Sequence, residues 1–173
     1  LLLLSAPCAA QNIDYSYLDG MVVNQEDGGG DDYTGLGLRG SYPLTPQFYA
    51  TAQFLSTNSG SDVIDIDRID LGFGGGYHMP LNRTTDFFAE LGFLRIDTDV
   101  GDDDGLRVGA GVRSLVAKQV ELRGSVEYVD VFDGELVINL GAQYAISDAW
   151  AGFLELSEGD MFGGYMLGVR FNY

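Results

Sequence analysis

The sequence predicts an all-β fold, an up-and-down antiparallel transmembrane β-barrel of ten strands, with eight as the alternative count. Three observations carry this. Apolar and polar residues alternate with period two in one segment after another, as in Leu136, Ile138, Leu140, Ala142 and Tyr144 against Val137, Asn139, Gly141 and Gln143. The connectors alternate between tight turns and longer acid-rich loops. The final stretch, GYMLGVRFNY, keeps the alternation up to an aromatic Tyr173.

The first strand is placed at 13–23. Asp19 falls on its apolar face if the strand is regular, so a bulge near Gly20 is expected to reset the phase. Strands at 33–42 and 47–56 flank the turn PLTP, and those at 68–78 and 87–96 flank MPLNRTTD. Strands at 106–115 and 120–129 flank VAKQ, and those at 136–145 and 150–156 flank ISDA. Pro and Asx residues mark most of these as turns. The last strand is placed at 162–173. Most segments are close to the roughly 9–11 residues a tilted strand needs to cross a bilayer. The segment 150–156 is short, which keeps eight strands open. Between the hairpins lie NQEDGGGDD, TNSGSDVIDID, DTDVGDDDG, DVFDGE and SEGD. An even strand count puts both termini on the turn side, which in such barrels is the periplasm.

No segment keeps a helical period, and no composition shift marks a boundary, so the barrel domain is read as 11–173. Residues 1–10, LLLLSAPCAA, read as the remnant of a secretory signal peptide cleaved after Ala10. That reading implies export through the inner membrane. The rival, acylation at Cys8, is disfavoured by Pro7 directly before it and by Ser5.

Alternation alone does not separate a membrane barrel from a soluble lipocalin-like binding protein, whose apolar face points inward. The content of the faces decides. The apolar face carries Leu36, Leu38, Phe48, Phe54, Leu71, Phe73, Leu91, Leu122 and Val126, and is nearly free of charge. Arg95 reaches it only at a strand end, where a long side chain can extend to the interface. A mid-bilayer Arg or Lys would cost roughly 2–4 kcal/mol. Tyr42, Phe48, Tyr77, Phe87, Tyr144, Trp150 and Tyr173 collect near the turn ends, as an interfacial girdle requires. The opposite face mixes glycines with Arg39, Arg68, Arg107, Arg113, Arg123 and Arg170, and with Asp70, Glu90, Glu121, Glu127 and Glu155. Six bases against five acids predict an internal network of ion pairs in a narrow, packed lumen, not a charged pore.

The class resembles the small OmpA/OmpX-like barrels of the Gram-negative outer membrane. More narrowly, IDYSYLDG, DGLRVGAGVRS and LGAQYAISDAW resemble the ten-stranded outer-membrane proteins of plant-pathogenic bacteria described as immune activators or signal-linked exported proteins. The resemblance covers the whole of 11–173 and rests on alternation and glycine placement. It implies a bacterial outer-membrane location, a monomer in contact with lipid and lipopolysaccharide, and recognition of the last strand by the barrel assembly machinery. It carries over no biochemical activity to any residue.

The formal net charge is −17. The five longer loops hold 17 of the 26 acids and neither Lys nor Arg, so the other 9 acids cancel the 9 bases and the whole net charge lies on the loop side. Such a surface excludes nucleic acid as a partner. Weak Ca²⁺ or Mg²⁺ binding at the acidic loops is an expectation; no cofactor is otherwise implied. DTDVGDDDG lacks the spacing of an EF-hand loop. One cysteine and one histidine leave no disulfide framework and no Cys/His metal cluster. No catalytic, cofactor-binding or metal-binding residue is singled out. His78 lies before MPLN on the turn side, far from where an outer-rim enzyme needs its proton carrier, and is assigned packing or capping. The expected function is structural or surface-interactive. The alternatives are a narrow channel for small solutes and the soluble binding protein.

Overall fold

Each alternating segment becomes one strand, and every strand pairs antiparallel with the next. The computed structural model describes residues 13–26, 32–59, 67–99 and 101–173. Among these, ten strands form: β1 (Tyr17–Glu26), β2 (Asp32–Pro43), β3 (Phe48–Ser59), β4 (Asp67–Pro80), β5 (Thr85–Thr98), β6 (Gly101–Ala117), β7 (Val120–Val129), β8 (Glu135–Ala145), β9 (Trp150–Glu158) and β10 (Gly163–Asn172). β1 also pairs with β10, which closes the barrel and leaves no free edge. This settles ten against eight. The strand in doubt, β9, has 9 residues and is hydrogen-bonded along both sides.

The direction of the side chains follows the sequence reading. Ile138 and Leu140 are exposed on the outside, and Asn139 between them is buried inside. The outer surface is an almost unbroken apolar band, from Leu36 and Leu106 near the loop end to Tyr42, Trp150 and Tyr173 near the turn end. Phe48 packs tilted against Tyr77 with ring centroids 5.2 Å apart, and Trp150 against Phe171 at 5.0 Å. A lipocalin-like interior is thereby excluded. Apolar groups left outward in this number are stable only against lipid.

Two expectations are corrected. β1 begins at Tyr17, not at residue 13, and it is regular through Gly20. Asp19 therefore points into the lumen, where it is fully buried, while Leu18 and Val22 take the lipid side. The sequence misleads because Tyr17, Met21 and Val23 on the inner face are as apolar as their neighbours, so the alternation has no phase. The register shift is found instead in β6, between Leu115 and Ala117. Second, DTDVGDDDG is not a loop. Asp97, Thr98 and residues 101–105 extend the β5–β6 hairpin, with Asp97 opposite Asp102 and Ile96 opposite Asp103. The ladder continues past the membrane because Arg95 ties Asp102 at 2.9 Å across the hairpin.

Beside its charges, the interior holds apolar clusters. Leu94, Ile96, Val129, Val131 and Val137 close the loop end together with Phe162. Met21, Val23, Leu55 and Phe153 pack with Met166 part-way down. Ile13, Tyr15 and Tyr49 pack with Leu115 at the turn end. Residues 13–16 do not continue β1; they cross the turn-side mouth and place Ile13 and Tyr15 inside it. The signal-peptide reading of residues 1–10, and most of the first two acidic loops, fall outside the described residues.

Candidate functional site: the lumen

The inward positions of ten strands bring together charges that lie far apart in the chain. All six arginines assigned to the inner face lie in the lumen, and so do the five acids. Asp19 joins them as a sixth acid, so the arginine network holds six guanidinium groups and six carboxylates among the described residues, while Asp86, also buried and inward, lies against His78. The sequence reading missed Asp19. Its only signal was the charge itself, since an Asp on a membrane strand is stable only where it can be paired.

Asp19 on β1 sits in register between Arg170 on β10 and Arg39 on β2. Arg170 binds it in a bidentate pair at 2.7 and 2.8 Å. Arg39 donates Nε to the same carboxylate at 3.1 Å and reaches across to Glu155 on β9, also at 3.1 Å. Arg170 lies over the Tyr17 ring, 3.6 Å from its centroid. One carboxylate thus links the three strands at the closing seam, and Arg39 adds a fourth. The planar guanidinium suits this role, because its fork donates to carboxylates on several strands at once.

The remaining pairs occupy other levels. Toward the loops, Arg68 and Asp70 form a bidentate pair at 2.7 and 2.9 Å, with Arg68 over Phe162. Arg107 donates to Gln53 at 3.0 Å and lies 3.8 Å from Glu127. Arg123 lies 3.7 Å from Glu90, which also accepts the Tyr49 hydroxyl at 2.8 Å. Near the turns, Arg113 grips Glu121 at 2.7 and 3.2 Å and donates its third nitrogen to the Asp14 carbonyl at 3.0 Å. The same guanidinium covers the Tyr15 ring at 4.6 Å. It therefore fastens the crossing segment into the mouth.

His78 is placed where the sequence put it, at the turn side, and it packs. Its ring stacks on Tyr15 at 3.9 Å, with Nδ1 3.2 Å from an Asp86 oxygen. Burial pushes the Tyr15 phenol above its ordinary range, so the ring stays neutral.

The space left over is divided among several cavities along the lumen. One lumen cavity, about 80 Å³, is lined by Gln53, Glu90, Arg107, Arg123, Glu127 and Asn139, and a larger one, about 230 Å³, lies at the turn end between Asp14, Arg113, Gln119, Glu121, Gln143 and Asp148. With roughly 30 Å³ per molecule in liquid water, the first holds a few waters. Arg123 Nε, Ser125 Oγ and Gln25 Oε1 are buried without a protein partner and are the groups such waters would satisfy.

At the rim, carboxylates act as local fasteners. Glu135 accepts the backbone N–H of Asp160 at 2.7 Å and of Met161 at 3.1 Å, and Asp103 accepts that of Phe132. Asp67 accepts from the Asn58 amide at 2.9 Å. Among the described residues, no three acidic, His or Cys side chains are grouped to hold a metal ion.

A closed barrel with a lipid-facing exterior has a counterpart among known families. The family described as "Outer membrane protein beta-barrel domain" matches residues 1–172. The chain belongs to this family. It is a bacterial outer-membrane barrel, and solved structures agree on the fold. The KdgM porin shares 12% identity at a TM-score of 0.55, covering 91% of this chain and 99% of its own. The NanC porin shares 10% at 0.56, covering 90% and 100%. OprG from Pseudomonas aeruginosa shares 14% at 0.53, covering 91% and 94%. Among proteins with curated descriptions, none matches the sequence.

Proposed function

We propose that this outer-membrane barrel is a closed platform with a structural or surface-interaction role: its lumen does not conduct, it carries no enzymatic activity, and its contacts are made at the rim and loops. The observation that carries this reading is the filling of the lumen. Six guanidinium groups are matched to six carboxylates, with an apolar cluster at the loop end and a second one, built on Ile13 and Tyr15, at the turn end. In this reading the ion pairs and the apolar clusters together block a continuous wet path. Planar-bilayer recording of the purified protein tests it. A flat baseline is expected at all holding potentials, and steady single-channel steps would overturn it.

The porins among the structural neighbours favour a second reading, a narrow channel for small solutes. One of them is described in complex with disordered oligogalacturonate. For this chain that reading requires the Arg–carboxylate layers to part. A liposome-swelling assay with small sugars separates the two, since only a channel swells the vesicles.

Lipopolysaccharide and its bridging divalent cations are the partners proposed for the acidic loop side. Hard cations take carboxylate oxygens. Calorimetry with millimolar Ca²⁺ and the folded barrel is the test; absence of heat removes the idea.

A further inference from the structure

Ten ladders close the barrel, and nine of them join strands that follow one another in the chain. Such a ladder takes its register from the hydrophobic pattern and from the connector between its strands. The tenth, β1 on β10, has no connector. The register at which it pairs fixes the stagger of the whole ring, and hence strand tilt and bore. The hydrophobic pattern gives little help there. Outward, Leu18, Gly20 and Val22 meet Phe171, Val169 and Leu167, and a slip of two residues again sets lipid-facing side chains against lipid-facing ones. Inward, Tyr17, Met21 and Val23 are apolar too. Gly168, opposite Met21, would face Val23 or Asp19 after such a slip, and it has no side chain to conflict with either.

Asp19 is different. It is the one charge of β1 before Glu26 at the loop end. A slip of one residue turns it to lipid. A slip of two sets it opposite Asn172 or Gly168, and sets Arg170 against Met21 or Tyr17, so the bidentate pair is lost. In the native register two ion pairs cross the seam. Asp19 on β1 meets Arg170 on β10 at 2.7 and 2.8 Å, and Arg39 on β2 meets Glu155 on β9 at 3.1 Å. Arg39 also holds the Asp19 carboxylate from the β2 side at 3.1 Å, so the acceptor is positioned within the β1–β2 pair.

We propose that Asp19 is the register pin of barrel closure: its pairing with Arg170 sets the stagger at which β1 docks on β10, and thereby the bore of the tube. Either slipped closure leaves a buried carboxylate and a buried guanidinium apart. Buried charge without compensation is far costlier than a change of aliphatic neighbours. Buried polar groups fix the register of coiled coils in the same way. This role is distinct from stabilising the barrel once it is correctly closed, and it stands whether or not the lumen conducts.

Disulfides on the lipid face read the register, with Cys8, the one cysteine of the chain, replaced by Ser throughout. Val22→Cys with Leu167→Cys joins residues opposite in the native register. Val22→Cys with Val169→Cys, or with Tyr165→Cys, joins residues that are opposite only after a slip of two. Side chains directly opposite lie roughly 4.5–5.5 Å apart and diagonal ones roughly 7–8 Å, beyond disulfide reach. Each protein is refolded from urea into micelles and oxidised, and folded barrels are identified by heat-modifiable migration. With Asp19 and Arg170 in place, only the native pair is expected to close. Asp19→Leu with Arg170→Met removes one charge of each sign and leaves Arg39 with Glu155; its folded fraction is expected to form the slipped disulfides as well. If that variant yields no barrel, Asp19→Asn, of the same shape, decides in the same way. Native cross-linking alone in the variant, as from a pair that only stabilises, or slipped disulfides with both charges present, would overturn the proposal.

Discussion

Asp19 and Arg170 stand 151 positions apart and meet directly opposite one another across the seam where β1 closes on β10. Their bidentate pair is buried on both sides, and Arg39 approaches from the other flank. Removing one member of such a buried pair leaves a charge without compensation, which costs about 3–5 kcal/mol. Asp19→Asn is expected to lower the urea midpoint of the barrel accordingly. Arg170→Gln added to it should restore part of the loss. A double-mutant cycle read by heat-modifiable migration and unfolding in detergent checks this; additive losses would refute the coupling.

Leu140 and Leu136 share the lipid face of β8 at different depths, Leu136 lying one residue from the loop end of the strand and Leu140 further in. Leu140→Arg should cost about 2–4 kcal/mol in vesicles, and Leu136→Arg about 0–1. The measurement is the equilibrium folded fraction in phosphatidylcholine vesicles. Equal costs at the two depths would contradict the assigned membrane position.

The Tyr15 ring covers His78, the one histidine in the chain. Diethyl pyrocarbonate should modify His78 slowly in the wild type. In Tyr15→Ala the same reaction should run at least several-fold faster, because the mouth loses a buried aromatic worth about 3–5 kcal/mol of packing. Barrel migration on the gel should survive, since β1 starts beyond this residue. An unchanged labelling rate would show that residues 13–16 do not shield the mouth.

Gly76 faces the Tyr49 ring so closely that an added Cβ would overlap it. Gly76→Ala must therefore displace the ring and break the Tyr49–Glu90 hydrogen bond. Overpacking of this kind costs about 1–3 kcal/mol. Combining it with Tyr49→Leu should recover stability relative to Gly76→Ala alone. Unfolding midpoints of the three variants decide; a double variant no better than the single one would show that the clash is not with Tyr49.

Much of the fold was legible because a membrane strand obeys one rule. Leu136 to Tyr144 repeats every second residue, and lipid tolerates no charge at those positions. Strand number, lipid face, girdle and five of the six acids paired with arginines followed from that rule. It failed at Asp19, where both faces of β1 are apolar, and at Asp102–Asp104, where the ladder outlasts the membrane and alternation stops reporting on lipid. Neither Tyr15 nor Ile13 could be read as a stopper, because a residue that leaves its strand to cross a mouth does so for partners supplied by β3, β4 and β6.

The sequence by itself determined that this chain closes into a barrel with its apolar side chains outward, since period two and a charge-free face are properties of single strands. Only the tertiary structure decided what fills the tube. The match of Asp19 to Arg170 and Arg39, the reach of Arg39 to Glu155, and the dry clusters at the two ends depend on which strands adjoin at closure. That adjacency is a property of the closed ring, and no local pattern in any one strand records it.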